Sequence, residues 1–286
     1  MIFDPTPCEL GEGALWHPGR QALFWFDILH KRLHMKDTAG LTVWDMPELT
    51  SAAAILSQDA LLLASESAVW RFDIATGSQS RLVALDAEDP GTRSNDGRAD
   101  RQGGFWIGTM GKRGPNDPGR GAIWRYHKGE LRKLFPGLTI PNSICFSPGG
   151  GYAHFSDTVT QKVWRVALDA DGWPKGEPAL YLDLTAQGLY PDGAVMAADG
   201  TFWNAQWGVG RVAAYAPDGT FLRAVSFEGS AQTSCPAFGG PEMTTLYCTS
   251  AVEGMDDAAR AANPNAGKTF AALGVTQGLP EPVVIL

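Results

Sequence analysis

The chain has 286 residues, of which 44% are hydrophobic and 19% are charged, and its formal net charge is −8 at pH 7. This length and apolar content allow a large buried core, whereas the acidic balance makes a nucleic-acid partner unexpected, because phosphate binding relies on basic surfaces. No apolar stretch reaches the ~18 residues that a membrane span needs, and the N-terminus MIFDPTPCELGEG has no signal-peptide features. We therefore expect a cytoplasmic protein with neither nucleic-acid nor membrane partners.

One pattern of turns and strands recurs along the chain. Each copy begins with a turn rich in Gly, Pro or Asp, continues with a short aromatic strand, and ends in a strand close to an aromatic–basic pair. The copies begin at His17, Ser57, Asp100, Ser147, Ala197 and Gly239. Their marker residues are Trp25, Leu62, Trp106, Phe155, Trp203 and Tyr247. The markers are spaced by about 37 to 49 residues, close to the ~40–50 residues of known propeller blades.

The repeat predicts an all-β fold, a six-bladed β-propeller formed by a single domain over residues 1–286. Strands such as TFWNAQW and GAIWRY alternate apolar and polar residues, as strands with one buried face do. The final segment KTFAALGVTQGLPEPVVIL contains two more strand candidates, which we expect to close the ring against the N-terminal strand. A pair of β-sandwiches is the competing interpretation, but its strands would not show this long-range spacing.

Four short segments place acids or amides beside Gly or Pro, next to apolar strands. In chain order they are ELGEGALW from Glu9, RSNDGRAD from Arg93, IPNSICF from Ile140 and YPDGAVM from Tyr190. Each alone is typical of an ordinary turn, because Asn and Asp tolerate the left-handed conformation and Gly supplies a positive φ. However, Asn95, Asn142 and Asp192 are separated by about one blade each, so a propeller would bring them to one mouth of its central channel.

Several ordered motifs together resemble the SMP-30/gluconolactonase/luciferin-regenerating-enzyme-like family, which includes regucalcin and bacterial sugar lactonases. The matching segments are LGEGALWHP, RSNDGRADRQGGFWIGTM, IPNSICFSPGGGYAHFSDT, LYPDGAVMAADGTFWNAQWG and GLPEP, and they span essentially the whole chain. The resemblance implies that Glu12, Asn142 and Asp192 are metal ligands. It implies that Arg93 and Asn95 contact the substrate. It also implies a further substrate-binding acid, which aligns only loosely, with Asp117 as the nearest candidate.

Two carboxylates and one amide oxygen form a hard, all-oxygen ligand set, which suits Ca²⁺, Mg²⁺ or Mn²⁺ and also accepts Zn²⁺. Three protein ligands leave coordination positions open, as in catalytic sites. The ligand set therefore predicts one divalent metal ion, and the resemblance implies a sugar lactone substrate that is hydrolysed to the aldonic acid. Asp192 is the candidate general base, with the alternative that it only binds the metal.

Three other functions are compatible with parts of this pattern. The first is a non-catalytic, calcium-binding regulatory protein, although a bare ion site would not need Arg93 and Asn95. The second is a propeller esterase or organophosphatase-like hydrolase, whose metal site is also rich in oxygen ligands. The third is an interaction scaffold, which would not explain acids and amides at blade spacing. A serine hydrolase is disfavoured because the chain has no GxSxG motif.

The cysteines and histidines show no metal-binding spacing. The cysteines, Cys8, Cys145, Cys235 and Cys248, lack a CxxC pattern and are predicted to be reduced thiols packed as small hydrophobic groups. Of the histidines, only His30 and His34 are loosely spaced like a pair, and both are predicted to lie on the surface.

Overall fold

The structure, a computed structural model, describes residues 1–286 and consists almost entirely of β-strands. The first thirteen strands are β1 (Ile2–Asp4), β2 (Gly11–His17), β3 (Ala22–Asp27), β4 (Arg32–Asp37), β5 (Gly40–Asp45), β6 (Thr50–Ser57), β7 (Ala60–Ser65), β8 (Ala68–Asp73), β9 (Gln79–Ala84), β10 (Thr92–Ala99), β11 (Phe105–Gly111), β12 (Gly121–His127) and β13 (Glu130–Leu138). The others are β14 (Pro141–Phe146), β15 (Tyr152–Asp157), β16 (Lys162–Leu168), β17 (Pro174–Asp183), β18 (Tyr190–Met196), β19 (Phe202–Trp207), β20 (Arg211–Tyr215), β21 (Phe221–Ser226), β22 (Thr233–Gly239), β23 (Thr245–Ser250) and β24 (Thr269–Ala272). Helical structure is limited to α1 (Asp257–Ala262) and the single 3₁₀ turns Gly114–Asn116, Thr158–Thr160 and Thr185–Gln187.

The strands form six antiparallel four-stranded sheets, which confirms the predicted six-bladed β-propeller. Blades 1 to 5 contain, respectively, β2–β5, β6–β9, β10–β13, β14–β17 and β18–β21. Blade 6 contains β22–β24 and is completed by β1 from the N-terminus. The first strand of each blade contacts the first strand of the next, so six innermost strands surround the propeller axis. Strands become more exposed with distance from the axis: in blade 1 the inner strand β2 is wholly buried, whereas the outer strand β5 is mostly exposed.

The core lies between the blades. All six marker residues are buried and lie on the second strand of their blade: Trp25, Leu62, Trp106, Phe155, Trp203 and Tyr247. A large side chain at this repeated position fills the space between adjacent sheets, and its burial is the main driving force for packing the blades. The four cysteines are buried free thiols, as predicted. The predicted surface position is wrong for His34, which is buried and stacks on Trp25, whereas His30 is exposed as predicted.

The two ends of the chain close the ring only in part as expected. The first strand candidate of the final segment is β24, which pairs with β1 through Ile2 and Phe270. The second candidate is not a strand of any sheet. Instead, residues 275–286 cross the far face of the propeller, opposite the ends of the inner strands that carry the four motifs. We call this segment the C-terminal strap.

The C-terminal strap connects four blades at the far end of the propeller. Its backbone hydrogen-bonds to Thr244 in blade 6, Ala198 in blade 5, Ile55 in blade 2 and Gly103 in blade 3. From it, Glu281 forms a buried ion pair with Arg98 of β10, whose guanidinium also donates to the carbonyl of Pro236. A buried ion pair of this kind ties the strap to the inner strand of blade 3.

Every innermost strand contains a β-bulge close to the mouth of the channel. The register with the second strand shifts by one residue between Glu12 and Leu15, Thr50 and Ala52, Ser94 and Gly97, Asn142 and Cys145, Pro191 and Ala194, and Thr233 and Pro236. A bulge bends the strand and redirects its side chains, so that neighbouring residues no longer alternate strictly between the two faces. The six bulges therefore line one mouth of the channel with polar side chains.

Hydroxyl and amide side chains connect the bulges of successive blades. Ser51 donates to the carbonyl of Asn95 (2.5 Å), Asn95 to that of Pro141 (3.1 Å), and Ser143 to that of Asp192 (2.5 Å). These bonds satisfy carbonyl groups that the bulges remove from the sheet ladder. Blades 2, 3 and 4 thereby each hold the bulge of the following blade in position. None of the helices is long and apolar enough to cross a membrane.

Candidate metal and substrate site

The three predicted metal ligands lie on the bulges of blades 1, 4 and 5, at the same mouth of the channel. Glu12, Asn142 and Asp192 are 6%, 3% and 4% exposed. The register differs between them, because Glu12 and Asn142 are the last paired residues before a bulge, whereas Asp192 is the first residue within one. Asn95 is likewise the first residue within its bulge, after Ser94. Blade spacing alone therefore predicted the mouth correctly but not the register.

Gly13 follows Glu12 in a conformation that requires glycine. Its φ is +62°, and a Cβ atom there would lie 2.3 Å from the carbonyl oxygen of Ser51 on blade 2. The Gly13 N–H donates to Glu12 Oε2 at 2.9 Å, which fixes the carboxylate against its own backbone. The second glycine of the LGEG motif is thus needed for the bulge, for the close approach of two blades and for the orientation of Glu12.

Three of the predicted residues form one chain of hydrogen bonds. Arg93 Nη1 donates to Asn95 Oδ1 at 2.9 Å and to the carbonyl of Ser94 at 2.8 Å. Asn95 Nδ2 in turn donates to Asn142 Oδ1 at 3.0 Å. A carbonyl oxygen has two lone pairs, so Asn142 Oδ1 can accept this bond and still bind a cation. The structure thus brings the predicted substrate residues into contact with a predicted metal ligand.

Residues behind the ligands fix their orientation. Asn142 Nδ2 donates to Thr158 Oγ1 at 2.8 Å, and this hydroxyl donates to the carbonyl of Pro191 at 2.7 Å, next to Asp192. The amide nitrogen of Asn142 is therefore directed toward Thr158 and its oxygen toward Asn95. Asn204 Nδ2 donates to the carbonyl of Asp192 at 3.1 Å. The sequence motifs did not identify Thr158 or Asn204, because both lie outside the four segments.

Glu12 and Asp192 are buried acids that influence each other. Burial raises the pKa of Glu12 to about 8, with a further contribution from the charge of Asp96. Burial also raises the pKa of Asp192, and the negative charge of Glu12 raises it further. Neither carboxylate forms an ion pair within 4 Å, although an isolated buried charge is costly unless it is paired or binds a metal. Two buried acids and an oriented amide oxygen fit a divalent cation.

The candidate ligand set contains only two acids. No group of three or more His, Cys, Asp or Glu side chains lies close enough to hold a metal ion. Asp96 is a third buried acid near the site, but its oxygens accept from the N–H groups of Ile144 (2.7 Å) and Gly97 (2.9 Å). Those bonds connect blade 3 to the bulge of blade 4. The predicted donor set, two carboxylates and the Asn142 amide, stays a prediction to which Asp96 adds no free carboxylate.

Asp117, the loosely aligned candidate for the further acid, is held by a neighbouring arginine. Its side chain is 3% exposed and accepts from Arg113 Nε at 2.9 Å and from the Arg113 N–H at 3.1 Å. It also lies against Gly111, where a Cβ atom would collide with it. Asp117 has no hydrogen bond to Arg93 or Asn95. Its contacts stabilise the loop after β11, and the two cationic neighbours, Arg113 and Arg120, lower its pKa.

One acid at the mouth was missed by the sequence analysis. Glu253 follows β23, and its charge has the largest favourable effect on buried Arg93, ahead of Glu12 and Asp192. Burial raises the pKa of Glu253, while Arg93 acts to lower it. The only sequence signal was its position three residues after a second strand of a blade, where mouth residues occur in a propeller.

The sequence of this chain is similar to the sequences of known proteins. A family profile described as "SMP-30/Gluconolactonase/LRE-like region" matches residues 10–252, which include every bulge of the mouth. The chain belongs to this family. The L-arabinolactonase of Azospirillum brasilense is 37% identical over 95% of this chain and 90% of its own length. The 6-deoxy-6-sulfogluconolactonase of Pseudomonas putida is 32% identical over 97% and 95%, respectively.

The solved structures agree with the family assignment. A calcium-binding protein described as regucalcin, from Agrobacterium tumefaciens strain C58, superposes with a TM-score of 0.96 at 41% identity. The superposition covers 100% of this chain and 97% of that protein. The whole propeller, including the mouth and the C-terminal strap, therefore follows the architecture of this SMP-30/gluconolactonase/LRE-like family member.

Proposed function

We propose that this chain is a lactonase that requires one divalent metal ion and hydrolyses a sugar lactone to the open-chain aldonic acid, with residues 1–286 acting as one domain. Membership of a family that includes lactonases supports the reaction class. One observation supports the site most directly. Two buried acids without a cationic partner lie at the same mouth as the hydrogen-bonded chain Arg93–Asn95–Asn142.

Glu12, Asp192 and Asn142 Oδ1 are the residues that hold the metal ion in this proposal. When bound, Ca²⁺, Mn²⁺, Mg²⁺ or Zn²⁺ supplies a Lewis acid for the ester carbonyl and two positive charges for the buried acids. Thr158 and Gly13 keep the amide and one carboxylate oriented, as outer residues do in other metal sites.

The protein's own residues supply binding and proton transfer. Arg93 has donors beyond the Nη1 group that binds Asn95, and these can hold a ring hydroxyl or the carbonyl side of the substrate. Asp192 takes a proton from a water molecule as that water's oxygen bonds to the carbonyl carbon. The bond between this carbon and the ring oxygen then breaks, and the proton passes to the ring oxygen. The product is the hydroxy acid.

Dialysis against a chelator followed by metal addition tests this proposal. We expect hydrolysis of five- and six-carbon aldonolactones, followed by pH-stat, to be lost without metal and restored by a divalent cation. Asp192→Asn should abolish turnover. Asp199→Asn is the matched control, because Asp199 lies on the same blade but at the far end of the propeller, where it only caps the Thr201 N–H. Full turnover by metal-free protein, or by Asp192→Asn, would contradict the mechanism.

Metal binding by the Asp192→Asn variant separates the two possible roles of Asp192, general base and metal ligand. If Asp192→Asn still binds metal, as measured by calorimetry, but does not turn over, Asp192 is the general base. If metal binding is lost with turnover, its role is that of a ligand.

A non-catalytic calcium-binding function is the second candidate, favoured by the description of the Agrobacterium tumefaciens structure as calcium-binding. It predicts tight Ca²⁺ binding and no hydrolysis of any lactone. Hydrolysis of aryl esters or organophosphates in preference to aldonolactones would instead indicate the esterase-like alternative.

A further inference from the structure

An acid from blade 6 lies at the same mouth as the candidate metal ligands. β23 ends at Ser250, which pairs with Thr233, the first residue of the inner strand β22. The chain then continues alongside blade 1: Ala251 bridges to Leu10, and the Val252 N–H donates to the carbonyl of Glu9 at 3.0 Å. The next residue is Glu253, so it lies beside the segment that leads into Glu12.

The backbone of Glu253 is held from the other side as well. Gln232 Nε2 donates to the carbonyl of Glu253 at 3.0 Å, and Gln232 precedes β22 directly. Two neighbouring blades thus fix the position of this residue, although it lies in a loop. A fixed loop residue at the mouth of a rigid scaffold is well suited to substrate recognition.

The side chain of Glu253 has no protein partner. It is half-buried, and it forms neither an ion pair within 4 Å nor a side-chain hydrogen bond. Three other acids near the mouth are paired: Glu66 with Lys112, Glu9 with Arg260, and Asp117 with Arg113. A partly desolvated carboxylate without a donor loses hydrogen bonds to water unless a ligand replaces them.

Arg93 and Glu253 provide complementary groups at the mouth. Each has the other as its largest favourable charge partner, but no direct contact joins them. Arg93 offers N–H donors, and Glu253 offers only acceptors when ionised. A hydroxyl group can accept from one and donate to the other, so a polyhydroxylated ligand between them would satisfy both.

We propose that Glu253 is a specificity-determining residue that accepts a hydrogen bond from a ring hydroxyl of the lactone, opposite Arg93. The inference rests on the proposed function, because it names a substrate contact for that reaction. It assigns to blade 6 the recognition role that the sequence suggested for Asp117. It also gives a role to Glu253, an unpaired acid that the proposed metal site does not need, close to the buried acids Glu12 and Asp192.

The test is a cycle of protein and substrate changes. Glu253→Gln removes the charge and keeps the size, and Glu242→Gln is the matched control, an exposed acid on the same blade at the opposite end. Both variants and the wild-type protein are assayed, loaded with Mn²⁺, on a pentonolactone and on analogues that each lack one hydroxyl. We expect Glu253→Gln to lose at least about 10-fold in kcat/KM on the full substrate, mainly through KM. Glu242→Gln should match wild type.

The coupling identifies the hydroxyl. For one deoxy analogue, wild type should lose at least about 10-fold as well, and Glu253→Gln should cause no further loss. Equal losses by Glu253→Gln on every analogue, or no loss on any, would overturn the assignment. A fall in Mn²⁺ affinity, measured by calorimetry, would also overturn it, because Glu253 would then be a metal ligand. Absence of lactone hydrolysis by the wild-type protein would instead refute the proposed function itself.

Discussion

Replacing Glu12 by Gln should stabilise the metal-free protein while destroying its response to metal. The substitution keeps the size of the side chain and removes one of two buried, mutually repelling acids. In the metal-free protein the charge of Glu12 has no cationic partner within 4 Å. Its removal should therefore favour the folded state, in contrast to most substitutions of buried residues.

The size of the effect follows from the shifted pKa. Burial raises the pKa of Glu12 from 4.5 to about 8, so the folded state keeps a proton that the unfolded state releases. An acid with a raised pKa does not destabilise the folded state when the pH is below the pKa of the unfolded state. The destabilisation grows as the pH rises toward the pKa of the folded state. With 1.36 kcal/mol per pKa unit, the penalty is about 1 kcal/mol at pH 5, about 3 kcal/mol at pH 7 and about 5 kcal/mol at pH 9. Glu12→Gln should remove this pH-dependent penalty.

Urea unfolding at these three pH values, after dialysis against a chelator, measures the difference between wild type and Glu12→Gln. With metal at about 100 times its Kd, the wild-type protein should gain about 2.7 kcal/mol, and the variant should gain nothing. Glu242→Gln again serves as the exposed control. If wild type and Glu12→Gln had the same free energy of unfolding at pH 5, and again at pH 9, the inference that Glu12 is an uncompensated buried acid would be refuted. An equal gain from metal would remove Glu12 from the ligand set.

Three further changes test other parts of the structure. Glu281→Gln leaves Arg98 buried without its anion and should lower the free energy of unfolding, measured in urea, by about 3 to 5 kcal/mol. Replacing both residues by Met should recover much of this loss. An unchanged free energy of unfolding would mean that the strap does not depend on the ion pair. Thr158→Val removes the acceptor of the Asn142 amide and should weaken metal binding by roughly 10- to 100-fold in calorimetry, with unchanged affinity as the contrary result. Burial lowers the pKa of His154 from 6.5 to about 3, so stability present above pH 6.5 is lost as the pH falls, by about 3 kcal/mol at pH 4.5. His154→Phe should lose correspondingly less between pH 7.5 and 4.5, and an identical loss would contradict this.

The sequence by itself determined the architecture and the mouth of the channel. The spacing of marker residues such as Trp25 and Trp203 predicted six blades, because each blade is a local unit that must bury the same position against its neighbours. The motifs around Glu12, Asn142 and Asp192 begin inner strands, and a propeller brings all such positions to one end. These features depend on short-range sequence patterns and can therefore be predicted without the tertiary structure.

The tertiary structure decided which side chains meet. The one-residue difference between Asn142 and Asp192 arises from bulges, whose position depends on hydrogen bonds from the adjacent blade, such as that from Ser143 to the carbonyl of Asp192. Asp117 is held by Arg113, and Glu253 lies near Arg93 although 160 positions separate them in the sequence. The proximity of Glu253 to Arg93 is set by how separate blades pack against each other, and no local pattern in the chain encodes it.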